Sequence, residues 1–101
     1  MKRFEIRYNP EAIEDISASF EWGVLNCGTD AAHRWYNDLE RTIESMLSFM
    51  PAGYPLAPEN NAFDIEVRQI ILGRYRILFA IAGDEVRILY VRGSYTGIED
   101  F

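Results

Sequence analysis

The spacing of apolar residues near the start of the chain predicts a strand followed by a helix. Apolar residues occupy every second position over residues 3–8, which is the period of a strand with one buried face. Asn9 and Pro10 come next, and these residue types favour the cap and the first turn of a helix. Three- and four-residue steps between apolar positions then predict a helix over about 10–26, which Gly28 ends.

A second helix follows almost directly and has the more regular apolar stripe. Thr29 or Asp30 can cap its start, and apolar residues recur at helical spacing as far as Met50, just before Pro51. Because only a few residues join the two helices, we expect them to lie roughly antiparallel. Together they present one broad apolar face that needs a sheet to cover it.

The second half of the chain predicts a loop followed by strands. Residues 51–64 hold three of the four prolines and are predicted to form a loop. Strand-like residues 74–82 and 85–92 flank Gly83-Asp84, which suits a two-residue type II′ turn. That turn predicts three cross-strand pairs on the face toward the helices: Ile81 with Val86, Phe79 with Ile88, and Ile77 with Tyr90.

The turn around Gly73 decides the orientation of a further strand predicted over residues 65–72. An odd number of loop residues places Arg68 beside Arg76 on the face away from the helices, whereas an even number buries Arg68. Because burying an arginine is costly, the odd loop is the prediction. The core positions of this strand are then Ile65, Val67 and Ile71.

These elements predict an α+β fold with the order β-α-α-β-β-β. Two N-terminal helices pack on one face of a small sheet in which antiparallel pairing predominates. The opposite face of the sheet is expected to form a shallow groove. With 101 residues, of which 49% are apolar, the chain has about the size of one domain, residues 1–101.

Composition limits the cofactors and the compartment. One cysteine, Cys27, cannot form a disulfide within the chain, and with the one histidine, His33, it cannot complete a zinc site. We therefore predict no metal and no other cofactor. No apolar run resembles a signal peptide or spans a bilayer, so the cytosol is the expected compartment and no membrane partner is expected.

Charge is distributed unevenly along the chain. The formal net charge of −6 argues against a general electrostatic attraction to nucleic acid. Residues 65–95 nevertheless carry five arginines and only three acidic residues. Arginine suits two-pronged recognition of phosphate or carboxylate, and Arg68, Arg76 and Arg87 are predicted to share the face away from the helices. The alternative is that exposed strand positions simply favour long charged side chains.

Four segments of the second half are distinctive in combination. They are Pro55-Leu56-Ala57-Pro58-Glu59, Glu66-Val67-Arg68-Gln69-Ile70, Gly73-Arg74-Tyr75-Arg76-Ile77-Leu78-Phe79 and Val86-Arg87-Ile88-Leu89-Tyr90-Val91-Arg92. With these segments and the predicted order of elements, nearly the whole chain resembles the RelE/ParE toxins of bacterial toxin–antitoxin systems, sometimes described as plasmid stabilization proteins.

The resemblance implies a growth-inhibiting toxin that a cognate antitoxin neutralises. Its leading implied activity is ribosome-dependent cleavage of mRNA without a metal, with the RNA's own 2′-OH as the nucleophile. Arg76 matches a phosphate-binding arginine of the family, Arg68 a basic position on the preceding strand, and Tyr95 a candidate acid or base. DNA binding is left to the antitoxin. Further candidates for contacts with RNA or a partner are Arg74, Arg87, Arg92 and Glu66, of which Glu66 is either a general base or an ion-pair partner of Arg68 or Arg76.

The end of the last strand departs from the family pattern. Relatives commonly carry Val-Arg-His-Gly-x-Arg there, whereas this chain has Val91-Arg92-Gly93-Ser94-Tyr95-Thr96. The histidine and the second arginine are missing, and the loss of one preorganised donor costs about 10²–10³ in rate. The alternative function is therefore a non-catalytic binding module, either a ParE-like inhibitor of DNA gyrase or a relative without activity.

Overall fold

The structure is a computed structural model that describes residues 2–93. It contains a four-stranded sheet, two long helices and two short 3₁₀ segments, Pro51–Gly53 and Pro58–Ala62. The order along the chain is the predicted β-α-α-β-β-β. The elements are β1 (Glu5–Tyr8), α1 (Pro10–Cys27), α2 (Thr29–Leu47), β2 (Arg68–Leu72), β3 (Tyr75–Ala82) and β4 (Glu85–Gly93).

The sheet has the order β1-β4-β3-β2, and the first strand is parallel to the last. The other two pairings are antiparallel, so the predicted α+β fold with a mostly antiparallel sheet is confirmed. Helices α1 and α2 cover one face of the sheet, which we call the helix face. The opposite face is called the outer face. The core on the helix face comprises Ala12, Leu39, Ile43, Leu47, Ile70, Ile77, Phe79, Val86, Ile88 and Val91.

The second helix is three residues shorter than its apolar stripe predicts. It ends at Leu47, and the N–H of the capping residue Ser48 donates the last helical hydrogen bond, to the Glu44 carbonyl, which also accepts one from the Ser48 hydroxyl. The Ser48 carbonyl in turn accepts a hydrogen bond of 2.7 Å from the Phe4 N–H, just before β1. This contact ties the end of the helix to the start of the sheet, so Met50 lies outside the helix.

The β3–β4 hairpin follows the predicted turn, but its register changes halfway along. Gly83 has φ +62°, as its place in a type II′ turn requires, and the pairs Ile81–Val86 and Phe79–Ile88 are confirmed. The predicted pair of Ile77 with Tyr90 is wrong. A bulge leaves Leu89 as an extra residue in β4, so that Ile77 faces Val91 instead. The side chain of Tyr90 therefore lies on the outer face with that of its partner Leu78.

The prediction of an odd loop before β3 is also wrong. Gly73 and Arg74 alone connect β2 to β3, and Gly73 has the same φ of +62° as Gly83. This even loop turns Ile70 and Leu72 toward the helix face, whereas Ile71 is 61% exposed on the outer face. The other two predicted core positions differ from the expectation as well, since Ile65 is exposed and Val67 is buried on the outer face.

A second, smaller core on the outer face explains why β2 begins late. The Val67 carbonyl accepts a hydrogen bond of 2.7 Å from the Ala57 N–H, and the Val67 N–H donates to Asn60 Oδ1 at 2.7 Å. These bonds hold the proline-rich loop against this end of the sheet, so the outer face is partly covered and not an open groove. The buried residues there are Ala57, Val67, Leu78, Ala80 and Leu89, with Phe63 and Tyr90 packed against them.

The turn between β2 and β3 provides a test of this register. A side chain at the positive φ of Gly73 costs about 1–2 kcal/mol, so Gly73→Ala is expected to lower the free energy of unfolding by that amount in urea titrations. The matched control is Gly53→Ala, where φ is not positive and an added Cβ meets nothing within 4 Å. The control is expected to change stability by less than about 0.5 kcal/mol. Equal losses in the two variants would contradict the turn described here.

Candidate functional site

The most elaborate cluster on the outer face surrounds Arg76. The guanidinium Nη1 donates to Glu59 Oε1 at 3.1 Å and to Gln69 Oε1 at 2.8 Å, and Nη2 donates to Glu59 Oε2. Glu59 comes from the 3₁₀ segment Pro58–Ala62, whereas Gln69 lies on β2. Arg76 thus already holds a carboxylate in the two-pronged geometry that arginine also uses for phosphate.

Arg92 lies beside this cluster on the neighbouring strand. It is the register partner of Arg76, and its guanidinium stands over the ring of Tyr90 at 4.7 Å from the centroid. The pKa of Glu59 is lowered chiefly by the hydrogen bond from Arg76, and the charges of Arg76 and Arg92 contribute. Two neighbouring cations therefore favour an anion at this place on the outer face.

Arg68 does not join this cluster. The two-residue loop pairs Arg68 with Phe79, whose side chain is in the main core, so Arg68 projects to the helix face and Arg76 to the outer face. Arg68 Nη1 donates to the Tyr54 carbonyl at 2.6 Å, and the side chain remains 22% exposed at the edge of the sheet. The prediction that Arg68 and Arg76 share one face is wrong, because a long side chain can run along the sheet edge and satisfy its charge there.

The remaining arginines are also dispersed. Arg87 lies on the outer face at the other end of β4, beside Arg7 of β1, and forms an ion pair of 3.3 Å with Glu85. Arg74 occupies the turn before β3 and lines a shallow cavity that Trp35 and Asp38 of α2 also line.

The two remaining predicted site residues are Glu66 and Tyr95. Glu66 forms an ion pair of 3.4 Å with Arg68, which is one of the two pairings expected for it. Tyr95, the predicted acid or base, lies outside the residues that the structure describes. The structure therefore brings Arg76 and Arg92 together, and it separates Arg68, Arg87 and Arg74 from them.

Two residues of the Arg76 cluster were not predicted. Gln69 directly follows Arg68, so its place beside Arg76 follows from the even loop. Glu59 belongs to one of the segments that carry the family resemblance, but no local pattern in the loop indicates that it reaches a residue 17 positions later.

The helices form a second candidate surface, which is apolar. Tyr8, Ile13, Ile16, Tyr36 and Leu39 line most of a cavity of ≈ 340 Å³ between α1, α2 and β1. The Tyr8 hydroxyl is buried without a hydrogen-bond partner among residues 2–93, and burial raises the pKa of that group. Ile13 is 52% exposed, so apolar surface continues to the rim of the cavity. Apolar surface of this kind is typical of sites that bind proteins.

Within the described part of the chain, no cluster of three or more histidine, cysteine, aspartate or glutamate residues is arranged to hold a metal ion. Neither of the two long helices has the length and apolar character needed to cross a membrane, in so far as residues 2–93 are concerned.

Comparison with known proteins places the chain in a family. The model of the ParE toxin of the type II toxin–antitoxin system parDE matches residues 6–94. No curated protein matches the sequence. A solved chain from the chromosomal ParDE toxin–antitoxin system of P. aeruginosa is 18% identical and has a TM-score of 0.73, over 90% of this chain and 96% of that one. Because the family model covers most of the sequence, this chain belongs to the ParE toxin family of type II toxin–antitoxin systems.

Proposed function

We propose that this toxin inhibits growth by binding a protein target, DNA gyrase, and that it does not cleave mRNA. Membership of the family implies a cognate antitoxin as its partner. Gyrase and the ribosome are the two targets that the resemblance to RelE/ParE toxins implies. The observation that carries the choice is the separation of Arg68 from Arg76 on opposite faces of the sheet.

The chemistry of RNA cleavage argues against an mRNA nuclease, because the reaction needs several cations at one phosphate. Attack of a 2′-OH on the adjacent phosphate needs cations gathered around one phosphorane and preorganised to bind its charge. Arg68 is directed to the Tyr54 carbonyl on the helix face, and Arg76 is engaged by Glu59 on the outer face. One phosphate cannot contact both guanidinium groups in this arrangement. The missing histidine and arginine after Arg92 weaken the nuclease chemistry further.

The support for a protein target comes from apolar surface and charge. The cavity between α1 and α2 opens beside the exposed Ile13, and Leu25 near the end of α1 is 85% exposed. The net charge of −6 opposes binding to the phosphate backbone of RNA but places no such penalty on a protein surface. A binding inhibitor needs these features and does not need a catalytic cluster.

Expression in bacteria separates the two activities. We expect the wild-type chain to arrest growth with DNA breaks while mRNA stays intact, and coexpression of the neighbouring antitoxin gene is expected to restore growth. Breaks in DNA and the 5′ ends of mRNA are mapped in the same cultures. Codon-phased mRNA ends that disappear in Arg76→Ala, but persist in the control Arg41→Ala on α2, would contradict the proposal. Arg41 is a suitable control because it is an exposed cation that pairs with Asp38, three positions earlier on the same helix, at 3.0 Å.

A further inference from the structure

We propose that Arg76, Gln69 and Arg92 form a binding site for an acidic side chain of a partner protein, and that Glu59 fills this site in the unbound chain. The inference goes beyond the choice of gyrase as target, because it depends only on the geometry around Arg76. Glu59 then competes with the partner's carboxylate for Arg76, and the partner displaces it on binding.

The contacts of Glu59 define the ligand chemistry. Each carboxylate oxygen accepts a hydrogen bond from a different Nη atom of Arg76. Gln69 Oε1, on the neighbouring strand β2, also accepts a hydrogen bond of 2.8 Å from Nη1 of Arg76. The orientation of the guanidinium therefore does not depend on Glu59 alone. The site is thus preorganised for a planar oxyanion, and an incoming carboxylate can make the same pair of bonds.

The ion pair of Arg76 with Glu59 lies where a carboxylate from solvent can replace Glu59. The side chains of Arg76 and Glu59 are 32% and 35% exposed, so a ligand from solvent can reach both. Arg76 and Gln69 lie on paired strands, whereas Glu59 lies in a 3₁₀ segment outside the sheet. That segment is held in place because the Ala57 N–H donates to the Val67 carbonyl and the Val67 N–H donates to Asn60 Oδ1, so only the Glu59 side chain needs to move. Solvent screens a partly exposed ion pair, so exchanging one carboxylate for another on Arg76 costs little free energy.

The surroundings favour a protein segment over a nucleic acid. Arg76 is flanked in the register by Arg92 on one side and by Ile71 on the other. Ile71 is 61% exposed, so a segment that carries an acidic residue next to an apolar one can contact both. The net charge of −6 opposes the approach of a polyanion such as RNA, whereas a protein segment with one or two carboxylates meets a smaller repulsion.

The test uses a capped peptide of alternating glutamate and valine, with glutamine in place of glutamate as the control peptide. Binding is followed by NMR at the Arg76 Nε–Hε group and the Ile71 methyl groups. We expect Glu59→Gln to bind the acidic peptide about two- to fivefold more tightly than the wild type, since the internal competitor is removed. Glu21→Gln removes the same charge from an exposed position on α1, away from the outer face, and we expect it to bind like the wild type.

Three outcomes would overturn the proposal. They are equal affinity of Glu59→Gln and the wild type for the acidic peptide, equal binding of the two peptides, and tighter binding of a single-stranded RNA than of the acidic peptide. Circular dichroism checks that each variant folds. The wild-type chain provides a second measurement that needs no variant: the carboxyl ¹³C signal of Glu59 is expected to shift as the acidic peptide saturates Arg76. An unchanged signal at saturation would equally refute displacement.

Discussion

Replacement of Phe79 by alanine is expected to lower the free energy of unfolding by about 3–5 kcal/mol. The Phe79 side chain is 0% exposed in the core between the helices and the sheet, and its ring packs edge-on against Tyr54 at 6.3 Å. Removing the ring leaves a cavity that neighbours on two strands cannot close without losing their own contacts. For a domain of this size the loss corresponds to a fall in the melting temperature on the order of 20 °C.

The control for Phe79→Ala is Ile71→Ala, at a position on the adjacent strand that is 61% exposed. We expect this variant to change the free energy of unfolding by less than about 0.5 kcal/mol. Urea titrations measure both variants, and the slope with urea should stay the same. A large loss at Ile71 with a small one at Phe79 would mean that the sheet presents the opposite faces to the helices and to solvent.

The second large effect concerns Asp15, whose carboxylate joins α1 to β4. Its Oδ2 accepts a hydrogen bond of 3.0 Å from the N–H of Val91, a residue that is 2% exposed. Asp15→Ala leaves that buried N–H without a partner and is expected to lower the free energy of unfolding by about 1–3 kcal/mol. Asp15→Asn keeps an oxygen at this place and is expected to retain most of the stability.

Asp15 also predicts a particular dependence on pH. Burial raises its pKa above the ordinary value of 3.8, although the hydrogen bond from Val91 and the charge of Arg92 act in the opposite direction. The folded state therefore binds the proton more tightly than the unfolded state does. The stability that this group contributes is present below its ordinary pKa and is lost as the pH rises through the raised value.

The free energy of unfolding of the wild type and of Asp15→Asn, measured between pH 3 and pH 7, isolates the pH-dependent contribution of Asp15. The difference in unfolding free energy, wild type minus Asp15→Asn, is expected to become less favourable as the pH rises. Glu59 has a lowered pKa and acts with the opposite sign, but it is present in both proteins and cancels in the difference. A difference that grows more favourable toward pH 7 would show that the hydrogen bond from Val91 outweighs the cost of burying the Asp15 carboxylate.

The strands and helices were largely predictable, because alternation and helical spacing are local signals. The register of β2 was predictable in principle, since Gly73-Arg74 repeats the pattern of glycine followed by a polar residue seen at Gly83-Asp84. An odd loop would keep Arg68 away from a helix face that was uniformly apolar. The edge of the sheet instead offers the Tyr54 carbonyl to this long side chain, so the even loop is accommodated.

Other features had no signal in the sequence. The bulge at Leu89 moves Val91 into the main core and Tyr90 to the outer face, and nothing in an apolar run distinguishes a bulged residue from its neighbours. The contact of Glu59 with Arg76 joins a loop to a strand and depends on the tertiary path of the chain. The family resemblance identified the class of protein, but the arrangement of the arginines required the structure.

Arg68 and Arg76 project from opposite faces of the sheet and so cannot form one phosphate-binding site. Nuclear Overhauser contacts of the Arg68 side-chain protons test it most directly in the intact chain. We expect contacts from Arg68 to the rings of Tyr54 and Phe79, its neighbours on the helix face. Contacts from Arg68 to the side chains of Leu78 and Arg76 on the outer face, without contacts to those rings, would contradict it.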